Sequence, residues 1–186
     1  MRRILLIMVL CLLAVASTGC KKAQLRRQLK ELISSTIVLP EKISCVYNGE
    51  VYPMPDSIRG KAKLLIYIDS TECSKCRISS LARYESLYDM SKENALFELF
   101  PLICITNTTR EDVLNQLEWQ ELPFPVYVCE GKESLTALNP FVPALAKLHY
   151  MLLNQKNCPI MIGDPVNGEK MMSLFKKQLN TLRNEQ

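Results

Sequence analysis

The pattern of apolar and polar positions predicts that strands alternate with helices after about residue 36. Lys63–Asp69 is an almost continuous apolar run, which is typical of a strand buried on both faces of a parallel sheet. Leu102–Thr106 and Pro125–Cys129 repeat the pattern. The segments between them have apolar residues every three or four positions, as in helices that cover a sheet. This order predicts an α/β fold with a mixed sheet covered by helices on both faces.

Hairpin signals flank this central region. Asn48-Gly49 separates two short strand-like runs, and this dipeptide is a strong signal for a two-residue hairpin turn. Near the other end, Leu148–Leu153 and Pro159–Gly163 predict a closing antiparallel pair. Ser79–Met90 and Asn167–Leu182 have helical periodicity. The chain is therefore expected to carry an N-terminal hairpin, a C-terminal hairpin and a last helix.

Residues 1–19 are predicted to be a targeting segment rather than part of the fold. Basic residues precede the apolar run Ile4–Ala16, which is too short to span a bilayer comfortably. Ser17-Thr18-Gly19 then precedes Cys20, and this arrangement resembles a bacterial lipobox, in which the cysteine is lipidated. An ordinary secretory signal cut nearby is the alternative interpretation. Both interpretations predict export, and with lipidation the acyl chains would anchor the protein to the bilayer.

Composition favours one domain with a short appendage. The chain has 186 residues, of which 48% are hydrophobic, so one sizeable core can be buried. The net charge of +4 includes two arginines of the leader. The sequence has no dense stripe of basic residues of the kind that binds nucleic acid, so a nucleic-acid partner is not predicted. Residues 20–35 are predicted to be a helical anchor or spacer. The preferred interpretation is a spacer helix docked on the domain, and the alternative is a basic amphipathic helix that lies near lipid headgroups. Residues 36–186 are predicted to form the domain.

The strongest chemical feature is the Cys73-Ser74-Lys75-Cys76 motif, which directly follows a predicted strand and opens a predicted helix. A helix N-terminus favours a thiolate, and free thiols have a pKa of about 8.5 that such sites lower. A second thiol one turn away can resolve a mixed disulfide. Cys73 and Cys76 are therefore the predicted catalytic pair, and Lys75, Glu72 and Asp69 are charged residues predicted to modulate it.

Tyr67-Ile68-Asp69-Ser70 and Cys73-Ser74-Lys75-Cys76 together resemble the thioredoxin superfamily, especially its membrane-anchored TlpA-like branch and Bacteroidetes envelope lipoproteins. The resemblance implies a thioredoxin-like fold from about Val38 onward, with an extra strand at Pro125–Cys129 before the last hairpin. It implies that Cys73 is the exposed attacking thiol and Cys76 the buried resolving thiol. It further implies a periplasm-facing protein with no cofactor, which exchanges electrons with cysteine-containing envelope proteins and a membrane redox partner.

Differences from this pattern leave alternatives open. Glu72 stands where tryptophan is usual, and His149 falls where a proline is expected. The chain could instead be a redox-inactive thioredoxin-like binding lipoprotein. It could also bind Cu(I) through Cys73, Cys76 and His149, since thiolates and imidazole suit that soft ion. A lone histidine on a strand is more often structural than a metal ligand. His149 is therefore predicted at most to modulate the nearby thiols, and no metal site is predicted.

Four other cysteines lie in the predicted domain. Cys104 and Cys129 occupy apolar strands and are predicted to be small core residues. Cys45 and Cys158 lie near turns and could pair, although sequence alone does not fix connectivity.

Overall fold

The computed structural model describes residues 23–69, 74–130 and 134–184. Seven strands form one sheet, and in chain order they are β1 (Ile43–Tyr47), β2 (Glu50–Pro53), β3 (Lys63–Asp69), β4 (Glu98–Ile105), β5 (Val126–Glu130), β6 (Tyr150–Leu153) and β7 (Pro159–Ile162). The helices are α1 (23–34), α2 (Asp56–Arg59), α3 (Ser74–Ser79), α4 (Glu85–Asn94), α5 (Arg110–Gln120), α6 (Leu135–Leu138) and α7 (Glu169–Asn184). Two 3₁₀ segments cover Ser80–Tyr84 and Ala146–Leu148.

The sheet has the order β2-β1-β5-β4-β3-β6-β7. Its central strands β3, β4 and β5 are parallel, and β1 and β6 flank them in the antiparallel direction. The predicted mixed sheet is therefore confirmed, and β3 has the predicted bounds. Because parallel strands end on the same side, the carboxyl ends of β3, β4 and β5 share one edge of the sheet.

Helices cover both faces, as predicted. One apolar cluster joins one sheet face to α3, α4, α5 and α7, and the other joins the opposite face to α1 and α6. The first cluster includes Phe175 and Leu179 of α7, and the second includes Leu32 of α1. Within the described ranges, no helix combines the length and apolar character needed to cross a membrane.

The N-terminal hairpin forms at Asn48-Gly49. Asn48 has φ 51° and Gly49 has φ 75°, so both residues adopt the left-handed backbone that a two-residue hairpin turn needs. Four residue pairs then join β1 to β2 in antiparallel register. The predicted turn is confirmed.

Strand β4 is longer than the predicted Leu102–Thr106, because it begins at Glu98 and contains Pro101. A proline inside a central strand is unfavourable, because it removes a hydrogen-bond donor. Here pairing with β5 starts only at Leu102, so Pro101 lies where β4 has β3 as its single partner. The apolar residues before Pro101 can therefore join the strand.

Candidate functional site

Cys76 lies at the edge where the parallel strands end. β3 ends at Asp69 and α3 begins at Ser74, so Cys76 occupies the first turn of α3. Its side chain is exposed, which corrects the expectation of a buried thiol, because among the described side chains of α3 the first that is fully buried is Ile78, two residues later. Glu72 and Cys73 lie outside the described residues, and of Lys75 only the backbone is described.

The helical segment after Cys76 is not the single α-helix predicted over Ser79–Met90. α3 ends after six residues, the 3₁₀ segment follows, and α4 begins at Glu85. Buried residues recur every third position, at Ile78, Leu81, Tyr84 and Leu87. Because a 3₁₀ helix has three residues per turn, this spacing keeps their side chains on the core face.

The shortness of α3 affects the electrostatics of the site. A helix of six residues aligns few peptide dipoles, so its N-terminus stabilises an anion less than that of a full-length helix. Charged side chains near Cys76 therefore matter more for the stability of a thiolate.

Arg77 follows Cys76 and connects α3 to the sheet. Its Nη1 donates a hydrogen bond to the Tyr150 hydroxyl at 2.5 Å, and its Nη2 donates to the backbone carbonyl of Tyr67 at 3.5 Å. The guanidinium also lies 5.2 Å from the centre of the Tyr150 ring. Tyr150 begins β6 and Tyr67 lies in β3, so one side chain spans two strands. The half-buried guanidinium therefore belongs to the residue that directly follows Cys76, and a positive charge near a thiol favours its anionic form.

Asp69 at the end of β3 is held by hydroxyl groups. Tyr67 donates to Asp69 Oδ2 at 3.2 Å, and Thr106 donates to Oδ1 at 3.5 Å. Burial raises the pKa of Tyr67 to about 12, so its hydroxyl remains protonated at neutral pH and can donate. Thr136 Oγ1 lies 3.4 Å from the same hydroxyl. The carboxylate is thus oriented at the edge where Cys76 lies.

His149 directly precedes β6 and is buried. Its Nε2 lies 2.9 Å from the carbonyl oxygen of Pro143, and since a carbonyl only accepts, Nε2 carries the proton and donates. Its ring lies 4.9 Å from the Tyr67 ring, and its backbone carbonyl accepts from Tyr67 N at 2.9 Å. These contacts bring His149 beside Tyr67 and engage one of its ring nitrogens. In the part of the chain that the structure describes, no three histidine, cysteine or acidic side chains form a metal-binding group.

Cys104 and Cys129 are buried, as predicted, and they form a disulfide that the sequence did not indicate. They face each other in register on β4 and β5, with Cα atoms 4.8 Å apart, and Asp69 pairs with Cys104 in the same row. The pairing depends on strand register, which spacing in the sequence does not reveal. Cys45 and Cys158, which the sequence left as a candidate pair, are both free thiols.

Sequence reasoning missed Arg77, Tyr150 and Thr136. Arg77 had a local signal, because it directly follows the cysteine motif. Tyr150 and Thr136 had none, since the fold brings Tyr150 to Arg77 and Thr136 to Tyr67 across sequence separations of 73 and 69 residues.

Comparison with known proteins supports the fold. Neither a family model nor a curated protein sequence matches the chain. Among solved structures, a thiol:disulfide interchange protein from Bacteroides sp. matches with a TM-score of 0.52 at 14% identity, over 80% of this chain and 92% of that chain. A protein described as the thiol:disulfide interchange protein DsbE, from Chlorobium tepidum, matches with a TM-score of 0.51 at 14% identity, over 80% of this chain and 98% of that chain.

A third structure, the thioredoxin domain of a thiol-disulfide oxidoreductase from Bacteroides vulgatus, gives a TM-score of 0.50 at 14% identity, over 78% of this chain and 98% of that chain. At this level of identity the likeness concerns the fold. The chain has a thioredoxin-like fold, and this part of the sequence prediction is confirmed.

Proposed function

We propose that the chain is a thiol–disulfide oxidoreductase of the cell envelope that acts through Cys73 and Cys76. The observation that carries the proposal is the exposed Cys76 in the first turn of α3, at the carboxyl end of β3 in a thioredoxin-like fold. Thiol–disulfide exchange is also the activity named for the three similar structures, which supports the same chemistry here.

In the reducing direction, the thiolate of Cys73 attacks a substrate disulfide and forms a mixed disulfide, and one substrate sulfur leaves as a thiolate that takes up a proton. Cys76 then loses its proton and attacks the sulfur of Cys73, which releases the second substrate thiol. Two electrons pass to the substrate, and the chain is left with a Cys73–Cys76 disulfide. Arg77 supports the anionic sulfur through its charge, and Asp69 is an acceptor at the same edge.

The proposed location and partners follow from the sequence. A leader that ends directly before Cys20 supports export and acylation at that cysteine, with the domain facing the periplasm. Cysteine-containing envelope proteins are the proposed substrates. A membrane redox partner is required in either direction, because turnover as a reductant leaves the Cys73–Cys76 pair oxidised and in need of a donor, and turnover as an oxidant leaves it reduced and in need of an acceptor.

Reduction of insulin with dithiothreitol as electron source tests the proposed chemistry. Cys73→Ala should abolish catalysed reduction, and Cys76→Ala should accumulate mixed disulfides because the resolving thiol is absent. Cys158→Ala is the matched control, since it removes a partly exposed thiol outside the site, and it should retain full activity. If Cys73→Ala and Cys76→Ala both reduce insulin at the wild-type rate, the proposal is wrong and the binding-lipoprotein alternative takes its place.

The proposed anchor has its own test. Labelled fatty acid should enter the wild-type chain and not the Cys20→Ala variant. Equal labelling of both chains would contradict acylation at Cys20 and leave the thiol chemistry untouched.

A further inference from the structure

Helix α1 has two faces of different character. One face of α1 is turned toward the domain. Its residues recur every three or four positions, as on a helix face that packs on a core, and they are the half-buried Leu25, Gln28 and Leu29 and the fully buried Leu32. The remaining positions of α1 are exposed. The helix is therefore docked on the domain along one stripe, as the spacer interpretation expects.

The exposed face of α1 is basic. Arg26, Arg27 and Lys30 are all exposed, and Lys30 lies three and four positions after the two arginines, so the three side chains are neighbours on the helix surface. Ile33 lies two turns beyond Arg26 on the same side and is 54% exposed. A cluster of basic residues on a helix surface is attracted to anionic lipid headgroups, and the exposed Ile33 beside it can contact the same layer.

The charge of the chain is divided between this segment and the rest. Residues 21–34 hold five lysines and arginines against Glu31, a net charge of +4. Residues 35–186 hold 16 lysines and arginines against 18 acidic residues, a net charge of −2. An anionic surface therefore attracts α1 and repels the rest of the chain overall, which would orient the protein as well as hold it.

We propose that the exposed face of α1 binds the anionic headgroups of phospholipids and lays this helix along the membrane surface. Cys20 precedes the first described residue of α1 by three positions, and three extended residues span roughly 10 Å. Acylation at Cys20 would keep this face within reach of the headgroups. The orientation relies on the proposed anchor, and the binding itself does not depend on the thiol chemistry.

Helix α7 provides an internal control. It holds Lys170, Lys176, Lys177 and Arg183 against Glu169, a net charge of +3, and these lysines are exposed. It packs on the opposite face of the sheet from α1. If charge alone governed adsorption, α7 would bind lipid as well as α1 does.

The test uses the full chain, purified from membranes and reconstituted into vesicles of phosphatidylcholine, with or without phosphatidylglycerol. An amine-acetylating reagent and peptide mass mapping report the accessibility of each lysine. Phosphatidylglycerol should lower the labelling of Lys30 by about threefold or more, and high salt should reverse this, because screening weakens the attraction to headgroups. The labelling of Lys176 and Lys177 should stay unchanged.

Two variants with equal charge loss sharpen the test. Arg26→Gln with Arg27→Gln should remove most of the protection of Lys30, whereas Lys170→Gln with Lys176→Gln should leave it intact. Equal labelling of Lys30 in both kinds of vesicle would overturn the proposal, as would equal protection of the α7 lysines. Protection of Lys30 in native envelopes but not by phosphatidylglycerol vesicles would indicate an acidic protein partner and would overturn it as well.

Flotation separates the anchor from the helix. A chain that floats with phosphatidylcholine vesicles is anchored independently of charge. A chain that floats only with phosphatidylglycerol vesicles lacks that anchor, and with Lys30 protected in the same sample it supports headgroup binding by α1.

Discussion

The two ends of strand β3 hold polar groups in opposite ways. At the start of the strand, the Lys63 ammonium is buried and donates three hydrogen bonds, to the carbonyls of Arg59 at 3.1 Å and Lys61 at 2.7 Å and to Asn157 Oδ1 at 2.8 Å. An ammonium has three donors, so its hydrogen-bonding capacity is used completely inside the protein. The arrangement connects the loop before β3 to the β6–β7 turn.

At the other end of β3 the polar groups lie partly open to solvent. Asp69 is half-buried and accepts from Tyr67 and Thr106, while Cys76 at the same edge of the sheet is exposed. Arg77 is held by Tyr150 but is only half-buried. The comparison shows that one strand can carry a closed polar cluster that stabilises the fold and an open one that is available for chemistry. Substitutions at the two ends should therefore affect different measurements.

The largest effect is expected at the closed end. Lys63→Met leaves three partly buried acceptors without their donor, and the free energy of unfolding should fall by roughly 3 kcal/mol. Urea denaturation measures the loss, and insulin reduction by the folded variant should stay at the wild-type rate. Lys61→Met is the matched control, because Lys61 is half exposed and pairs with Glu98, and it should cost less than about 1 kcal/mol. Equal losses in the two variants would contradict the distinction.

The closed end should also give stability a characteristic pH dependence. Burial, and then the positive charge of Arg59, lower the pKa of Lys63 from 10.5 to about 8. Between these values the unfolded chain binds the proton and the folded chain does not, so the free energy of unfolding rises with pH across this window, by at most about 3 kcal/mol. The rise should be absent in Lys63→Met, and subtracting the two pH profiles removes the contribution of the tyrosines. A flat difference profile would contradict the lowered pKa.

At the open end, charge substitutions should change reactivity rather than stability. In a Cys73→Ala background, labelling of Cys76 by iodoacetamide is followed against pH. Arg77→Gln should move half-maximal labelling up by roughly 0.5 to 1 pH unit, because the positive charge of the residue after Cys76 is lost, and Asp69→Asn should move it down because a negative charge at the same edge of the sheet is lost. Arg77→Lys should behave like wild type. Shifts of the same sign in both charge-removing variants would contradict the assigned roles.

The smallest effect is expected for copper at His149. Reduced protein is titrated with Cu(I) against a competing chelator, with His149→Ala beside the wild type. Because the Nε2 of His149 already donates to Pro143, we expect weak binding that the substitution leaves unchanged. Tight one-to-one binding that is lost in His149→Ala would instead favour the copper-binding alternative.

Local patterns were sufficient to predict part of the fold. β3 was predicted with its observed bounds, since the five apolar residues Leu64–Ile68 are typical of a strand buried on both faces, and the Asn48-Gly49 hairpin was predicted because few residues tolerate the required φ values. The predicted strand began at Leu102, so the first four residues of β4, which end at Pro101, were missed. Whether a proline can be part of a strand depends on where the neighbouring strand begins, and the sequence does not show that β5 pairs with β4 only from Leu102 onward. The 3₁₀ segment was missed because its spacing of three resembles part of a helical pattern.

The site was less predictable than the fold, because its contacts join distant segments. The cysteine motif and Asp69 could be identified locally, whereas the Arg77–Tyr150 hydrogen bond depends on β6 lying beside β3. The burial of Cys104 and Cys129 followed from their strands, while their pairing required the register of β4 on β5. The chemistry of the site was therefore easier to predict than the arrangement of charges around it.

The measurement that tests the redox claim most directly is the equilibrium of the full chain with glutathione buffers of increasing oxidising strength, read by thiol alkylation and peptide mass mapping. Cys73 and Cys76 should convert together from dithiol to disulfide in a single two-electron transition, in which the ratio of disulfide to dithiol changes tenfold for about every 30 mV of buffer potential. The extent of alkylation of Cys45 and that of Cys158 should each stay constant across the buffer series. A motif whose two cysteines never pair at any buffer composition, or titrate independently of each other, would contradict the account.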